Sequence, residues 1–492
     1  MQLRDYQLNF VRDIRTAFAQ GSVAPLAVAP TGAGKTACMS YIANGAAAKG
    51  NTCGIIVHRQ ELVVQTSVAL ARVGLWHGIE APEPVRRAAI RAQIEEGGRS
   101  FYNSDAPSKV CSIQTIGRRL DTIDPFNLLF LDEGHHAAAG TWGRLVEAMP
   151  KAKILGLTAT PERLDGKGLG RDFGGIYTSL VMGPTIGSLI EAGYLATPRV
   201  FSPPSSIDTS ALHIKGGDFN AQESAEMMDR RQITGDAIDH YRRICNGVPA
   251  IAFCASVAHA KHVAEEFIAA GYKAACIDGN TPDAERRGAI RALGEGRLHV
   301  LTSCDIISEG TDIPIVGAMI ALRPTQSLGL WRQQMGRVLR AYPGKQFAYI
   351  LDHVGNALRL GLPEDEPEWS LEGRKKKSRD ASEREISVSV TVCAECFASF
   401  SSEIDVCPHC GTPVERKTRQ IDQVDGDLVE IDQAALVRRQ KIEQGMAEKF
   451  SDLVALGKRR GMNHPEGWAR NILAARKRKE EKSPMLALPE AS

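Results

Sequence analysis

Between Ala29 and Thr36 the chain reads Ala-Pro-Thr-Gly-Ala-Gly-Lys-Thr, after an apolar run and before a helix-forming stretch. Glycines at this spacing let backbone N–H groups turn inward around phosphate oxygens, and a helix starting there adds its positive end. Pro30, Thr31, Gly32, Ala33 and Gly34 are therefore the expected cradle. Lys35 is the cation for β- and γ-phosphates, and Thr36 is a hydroxyl ligand for Mg²⁺. Ala29 stands where the generic pattern has its first glycine. Further along, Leu128-Leu-Phe-Leu-Asp132-Glu133-Gly-His135-His136 is an apolar run that ends in two carboxylates. Ligands of open α/β sheets bind at strand ends. Asp132 suits holding Mg²⁺, and Glu133 suits orienting and deprotonating an attacking water. An Asp that caps a helix beside a surface Glu would look similar, but the phosphate loop upstream argues for hydrolysis of a bound triphosphate, with ATP the expected ligand.

These residues need strands and helices in alternation, and the chain supplies them. Leu26–Ala29, Gly54–Val57, Val110–Ile113, Leu128–Leu131 and Ile154–Leu157 read as buried strands. A second set follows at Ala250–Phe253, Ala274–Ile277, Val300–Ser303, Ala318–Leu322 and Ala348–Leu351. Strands alternating with helical patterns argue for doubly wound parallel sheets, here two α/β lobes in tandem. The expected division is lobe 1 over 1–200, a Pro- and Ser-rich connector over 201–234 and lobe 2 over 235–357. A charged linker over 358–389 comes next, then a small cysteine module over 390–413 and a helical basic tail over 414–492. The linker holds Arg374-Lys-Lys-Lys-Ser-Arg379, and the tail holds Lys458-Arg-Arg460 and Arg476-Lys-Arg-Lys479.

The 492 residues carry a formal net charge of +2, so any grip on nucleic acid must come from local patches. No apolar run is long enough to span a bilayer, and the N-terminus has no apolar leader, so the expectation is a cytoplasmic protein with no membrane partner. In a reducing compartment the 11 cysteines need a role other than disulfides. Most sit singly in apolar segments as small hydrophobes. Cys393-x₂-Cys396 and Cys407-Pro-His-Cys410 are different, because paired knuckles at this spacing present four thiolates to one tetrahedral Zn²⁺. With four sulfurs present His409 is not needed as a ligand. A closed four-sulfur site is structural.

The motifs, taken in order, resemble those of the superfamily 2 helicases and translocases, whose fold is two RecA-like lobes, here expected to be followed by the zinc ribbon and the tail. Leu3-Arg-Asp-Tyr-Gln7 is similar to the adenine-reading motif, Ala29–Thr36 to motif I, Val57–Gln65 to motif Ia and Cys111–Thr115 to motif Ib. Asp132–His135 resembles the DEAH form of motif II, with Gly134 in place of Ala and a local backbone expected to be looser for it. Thr158-Ala-Thr160 resembles motif III, Phe253–Ser256 motif IV, Ser308–Pro314 motif V and Gln333–Arg340 motif VI. The resemblance implies that Arg4, Gln7, Gly310 and Asp312 also face the nucleotide. It places His135, Gln333, Arg337 and Arg340 with the catalytic set and has Thr158 and Thr160 couple hydrolysis to movement. It puts Arg59, Gln114, Thr115, Ser256 and Thr302 against a nucleic-acid strand. The layout is most similar to RadD-type DNA repair ATPases and related phage helicases, through the Leu-Arg-x-Tyr-Gln start, Leu322-Arg-Pro-Thr-Gln-Ser, and Pro343-Gly-Lys leading into Ile350-Leu-Asp. That implies DNA as partner, single-stranded or branched and read with little sequence preference, in repair, recombination or replication. The ribbon or the tail would take a protein partner. An RNA helicase, the motor of a restriction or defence complex, and a zinc-dependent adaptor with a decayed ATPase are the rival readings. The intact Lys35, Asp132, Glu133, Arg337 and Arg340 weigh against the last.

Overall fold

Two sheets frame the computed structural model, which describes residues 2–137, 140–163, 166–202, 209, 212–215, 217–228, 231–304, 313–372, 390–414, 443–444, 446–447, 449–459 and 465–480. The first holds β1 (Pro25–Val28), β2 (Cys53–Val57), β3 (Gly78–Glu80), β4 (Lys109–Ser112), β5 (Leu128–Asp132), β6 (Lys153–Thr158) and β7 (Ser179–Met182), in the order β3-β4-β2-β5-β6-β1-β7. Every pairing in it is parallel. Helices cover both faces of such a sheet, so its central strands read as unbroken apolar runs. Every residue of β1 and β2 is buried. The order also brings β5, β6 and β1 side by side, so three motif-bearing strand ends open at one place.

The second sheet contains β8 (Thr197–Phe201), β11 (Ala250–Cys254), β12 (Ala274–Ile277), β13 (Val300–Ser303), β14 (Ala318–Leu322), β15 (Phe347–Asp352), β16 (Val390–Val392) and β17 (Ala398–Ser401). Its order is β12-β13-β11-β14-β15-β8-β17-β16, parallel as far as β8 and antiparallel beyond it. Both α/β lobes are thus present. The chain already crosses to the second sheet at Thr197, inside the stretch expected for lobe 1, because β8 pairs with β15. The expected connector is not bare linker either. It carries a hairpin of β9 (Ile214–Lys215) and β10 (Asp218–Phe219), followed by a helix, Ala221–Met228. The Asp218 carboxylate accepts from Thr325 Oγ1 at 2.9 Å and Gln326 N at 2.7 Å, which fixes the hairpin to lobe 2.

The cysteine module is part of the second sheet, since β17 lies on β8 with Ala398 opposite Phe201. The linker expected over 358–389 is folded as far as residue 372. Arg332 donates to Asp365 O at 2.8 Å, and Leu371 O accepts from Leu169 N and Gly170 N at 2.9 and 3.0 Å. Residues 362–372 therefore strap lobe 2 to lobe 1. The basic run at 374–379 lies outside the described residues. A separate unit, Arg416–Ser492, contains the helices Phe450–Arg459 and Pro465–Glu480. Leu453, Leu456 and Ala469 are buried there. Gly457 lets the second helix approach, for an added Cβ would fall 2.9 Å from Pro465 Cβ, and Trp468 Cε3 would lie 3.4 Å from it, so Trp468 packs within the tail itself. Among the described residues no helix is long and apolar enough to cross a membrane.

Candidate active site

The loop between β1 and the helix Lys35–Ala47 turns through Gly32 and Gly34, at φ 91° and 79°. Only glycine adopts such angles at little cost. Beneath the loop, Gln7 donates to Ala33 O at 3.1 Å and accepts from Arg4 N at 3.0 Å. The Tyr6 hydroxyl donates to the same carbonyl at 3.2 Å. Arg4 lies over the Tyr194 ring at 4.4 Å. The residues expected to read adenine thus brace the 30–34 loop, with both ends of the Gln7 amide engaged by the protein. Ala29, at the site of the absent glycine, is buried and continues β1, its N–H donating to Thr158 O at 3.0 Å.

Lys35 Nζ donates to Ala29 O at 3.0 Å and Pro30 O at 3.4 Å. Burial lowers its pKa, Glu133 and Asp132 oppose that, and Arg337 and Arg340 reinforce it. The carboxylates and the lobe 2 guanidiniums therefore act on one ammonium. Asp132 closes β5, is buried, and is pushed up to about 6, first by desolvation and then by Glu133, with Lys35 opposing. Thr36 is the second residue of the helix that begins at Lys35. Two positive-φ glycines, a helix start, a lysine and a buried carboxylate are the donor set that a Mg²⁺-bound triphosphate requires.

Glu133 sits in the left-handed region at φ 49° and ψ 52°, a strained conformation for a side chain of this kind. Its Oε2 lies 3.4 Å from both His135 Nδ1 and Thr158 Oγ1. His135 Nδ1 and Thr158 Oγ1 are 3.0 Å apart, and Thr160 N donates to Thr158 Oγ1 at 3.1 Å. Motifs II and III are thus one hydrogen-bonded cluster. Gly134 is not a loosening. The Tyr177 hydroxyl donates to Gly134 O at 2.7 Å, and a Cβ on Gly134 would lie 2.5 Å from that hydroxyl. Tyr177, which is buried, fills the space of the missing methyl and pins the turn. Nothing in the sequence around Tyr177 marks it for this role.

Lobe 2 presents the helix Leu328–Val338, with Gln333 and Arg337 buried on it. A Cβ on Gly336 would fall 2.4 Å from Thr31 Cβ, and a Cβ on Gly32 would lie 3.6 Å from Arg340 Cγ. The two walls therefore meet at loop 30–34. Gly310 and Asp312 lie outside the described residues.

The expected strand contacts separate. Arg59, Gln114 and Thr115 line a cleft of about 730 Å³ with Arg118 on lobe 1 and Gly279, Asp283 and Arg286 on lobe 2. Gln114 also donates to His58 O at 2.9 Å, tying motif Ib to motif Ia. Ser256 caps the helix Val257–Ala269 by accepting from His259 N at 3.0 Å. Thr302 is a correction. It is buried in β13 with its hydroxyl donating to Ala260 O at 2.7 Å, so it faces the lobe 2 interior and not a strand.

In the cysteine module the Cys393–Cys410 and Cys396–Cys407 sulfurs are 3.6 and 3.7 Å apart, and all four lie within 4.8 Å of one another. A tetrahedral ion with metal–sulfur bonds of about 2.3 Å separates its sulfurs by roughly 3.8 Å, so the four thiols fit Zn²⁺. His409 turns away, its ring edge-on to Phe201 at 5.3 Å.

Residues 1–163 match the family described as type III restriction enzyme, res subunit, and residues 236–342 match the helicase conserved C-terminal domain. A 51.5 kDa protein of a Lactococcus phage is 33% identical over 78% of this chain and 76% of its own length. The candidate ATP-dependent helicase IRC3 of Saccharomyces cerevisiae is 26% identical over 72% of this chain, which spans 51% of that relative. Two solved structures share the fold at 18% identity. The DNA-bound type ISP restriction-modification enzyme LlaBIII has a TM-score of 0.51 over 75% of this chain and 28% of its own. A fragment of a candidate type I restriction HsdR subunit from Vibrio vulnificus has a TM-score of 0.54 over 73% of this chain and 66% of its own.

Proposed function

From the premise that this chain belongs to the superfamily 2 helicases, ATP-hydrolysing enzymes that act on nucleic acid, we propose that it is a nucleic-acid-stimulated ATPase that moves along DNA. The observation that carries this reading is the meeting of motif VI with the phosphate loop, where Gly336 abuts Thr31 and the charges of Arg337 and Arg340 reach Lys35. In this reading Lys35 binds the β- and γ-phosphates, and Glu133 takes a proton from the attacking water. Arg337 and Arg340 neutralise charge on the transferred phosphoryl group, with Gln333 beside them. Thr36 and Asp132 would hold Mg²⁺, which would supply positive charge to offset that of the phosphates. Thr158 joins Glu133 and His135 to Thr160, against which Gly329 of lobe 2 packs, so loss of the γ-phosphate has a direct route to the second lobe. The strand lies in the cleft lined by Arg59, Gln114 and Thr115, held mainly through phosphates and so with affinity that falls as salt rises. Zn²⁺ on Cys393, Cys396, Cys407 and Cys410 would hold the ribbon on the edge of lobe 2.

DNA, and a repair, recombination or replication task, are favoured by the RadD-like sequence details. The matches to restriction-enzyme motors favour a second reading, a motor subunit that works with a nuclease. Steady-state ATPase assays with single-stranded DNA, duplex DNA, branched DNA and RNA, run beside Lys35→Ala, test the proposal. Stimulation by DNA that Lys35→Ala abolishes is expected. Stimulation by RNA alone would overturn the DNA assignment, and a purified complex with a nuclease would select the second reading.

A further inference from the structure

Tyr342-Pro-Gly-Lys345 follows motif VI, and the proposed mechanism gives it no task. Lys345 N donates to Tyr342 O at 3.0 Å, and Gly344 sits at φ 81°. Pro at the second position and a positive-φ Gly at the third are the requirements of a type II turn. The turn brings Lys345 back under the end of motif VI. Its Nζ donates to Arg340 O at 2.7 Å, Val316 O at 2.6 Å and Pro314 O at 3.2 Å. Three carbonyls around one nitrogen match the three donors of an ammonium. Pro314 and Val316 leave the motif V segment, and Arg340 ends motif VI, so a single side chain gathers both nucleotide-facing segments of lobe 2. Arg340 is held from the other side as well, since it bridges Leu195 and Ala196 N donates to Leu339 O at 2.7 Å. Burial, and then the Arg340 charge, pull the Lys345 pKa down to about 7. A lysine kept in so unfavourable a place is tied to what its three acceptors require.

We propose that Lys345 is a positioning residue for ATP hydrolysis, fixing the main chain at Arg340 against the motif V exit so that the Arg340 guanidinium is held at the γ-phosphate. The inference rests on the assignment of Arg340 given above. A guanidinium that acts on the transition state affects turnover more than binding, and a displacement of about 1 Å in such a group costs up to roughly a hundredfold. Lys345→Met should therefore lower kcat about ten- to a hundredfold with little change in KM for ATP. A double-mutant cycle on the full chain supplies the test, with kcat measured for wild type, Lys345→Met, Arg340→Ala and the pair at saturating ATP and nucleic acid. The expected result is that Lys345→Met has little further effect once Arg340 is Ala. Multiplicative effects, or a Lys345→Met enzyme with wild-type kcat, would overturn the proposal. If Arg340→Ala alone leaves kcat intact, the assignment of Arg340 has failed and the proposal goes with it. Lys345→Gln, whose amide is one atom shorter and carries two donors, replaces the Met variant in the cycle if that variant does not fold, and a smaller loss of kcat that likewise vanishes once Arg340 is Ala is expected.

Discussion

The two walls of the ATP cleft are built by different means. Lobe 1 hangs its groups on the ends of three adjacent parallel strands: the loop after β1, Asp132 at the end of β5 and Thr158 at the end of β6. Strand register sets their separations, and the strained Glu133 is held by bonds within that one lobe. Lobe 2 offers a helix instead, Leu328–Val338, seated by contacts distant in sequence, Gly336 on Thr31 and Arg332 on Asp365, with Lys345 holding Arg340 just past its end. The first wall is a fixed binding surface. The second owes its position to packing and so can answer to what the first one holds. That division suits a machine in which one lobe binds and the other moves.

The largest effect expected is chemical and lies on the fixed wall. Glu133→Gln should lower kcat by about 10²–10⁴-fold while leaving ATP affinity close to wild type, as read by steady-state turnover and by titration with a fluorescent ATP analogue. Unimpaired turnover would remove Glu133 from the mechanism and leave the strained turn without a purpose.

Zinc removal should next distinguish the lobes by stability. The ribbon continues the second sheet through β17 on β8, and a module this small depends on its metal to fold. Chelation should release one zinc per chain and lower the Tm by at least several degrees. Limited proteolysis should then cut within 390–414 and lobe 2 before lobe 1. A protein purified without zinc, or a Tm indifferent to chelator, would show that the four thiols do not carry the ribbon.

A third change sharpens the account of the fixed wall. Gly134→Ala forces a methyl into the place of the Tyr177 hydroxyl, an overpacking that costs about 1–3 kcal/mol. Adding Tyr177→Phe removes the nearest atom, so the double variant should recover stability and much of the ATPase lost by Gly134→Ala. A double variant no better than the single one would mean that the next obstacles, Gly156 Cα and Leu26 Cδ1 at 3.1 Å, dominate.

The same contrast explains what could be read from the sequence. The parallel strands of both lobes announce themselves as apolar runs, and the residues at their ends inherit a location from strand order. Lys35, Asp132 and Glu133 were placed at strand ends for that reason, whereas Thr158 and Thr160 were picked out by the order of the motifs. The short strands β3, β7 and β8 carry no strong pattern. The placement of β8 in lobe 2 depends on pairing with a strand some 150 residues later, as Tyr349↔Arg199 shows, and no local signal encodes that. Tyr177 acts through one hydrogen bond to the distant Gly134 carbonyl and Lys345 through three carbonyls, two of them some 30 residues back, and both look like ordinary residues in the sequence. Thr302 failed in the other direction. The family resemblance set it against a nucleic-acid strand, but its hydroxyl satisfies a helix carbonyl in the core.

The smallest effect expected lies where the walls touch outside the ATP site. Arg286 of lobe 2 approaches Glu61 of lobe 1 at 3.6 Å across the proposed strand cleft and also pairs with Asp283 on its own helix. Glu61 is about half exposed, so the pair is worth about 0–1 kcal/mol, falling with salt. Glu61→Ala should therefore leave the fold and the basal ATPase unchanged. It should also release Arg286 toward strand phosphates, which predicts a modest rise in nucleic-acid affinity, measured by fluorescence anisotropy, that fades as salt is raised. An equal rise at high salt would point away from the ion pair. A fall in affinity would mean that Glu61 itself supports the strand, and the track would then run along lobe 1 alone and not between the lobes.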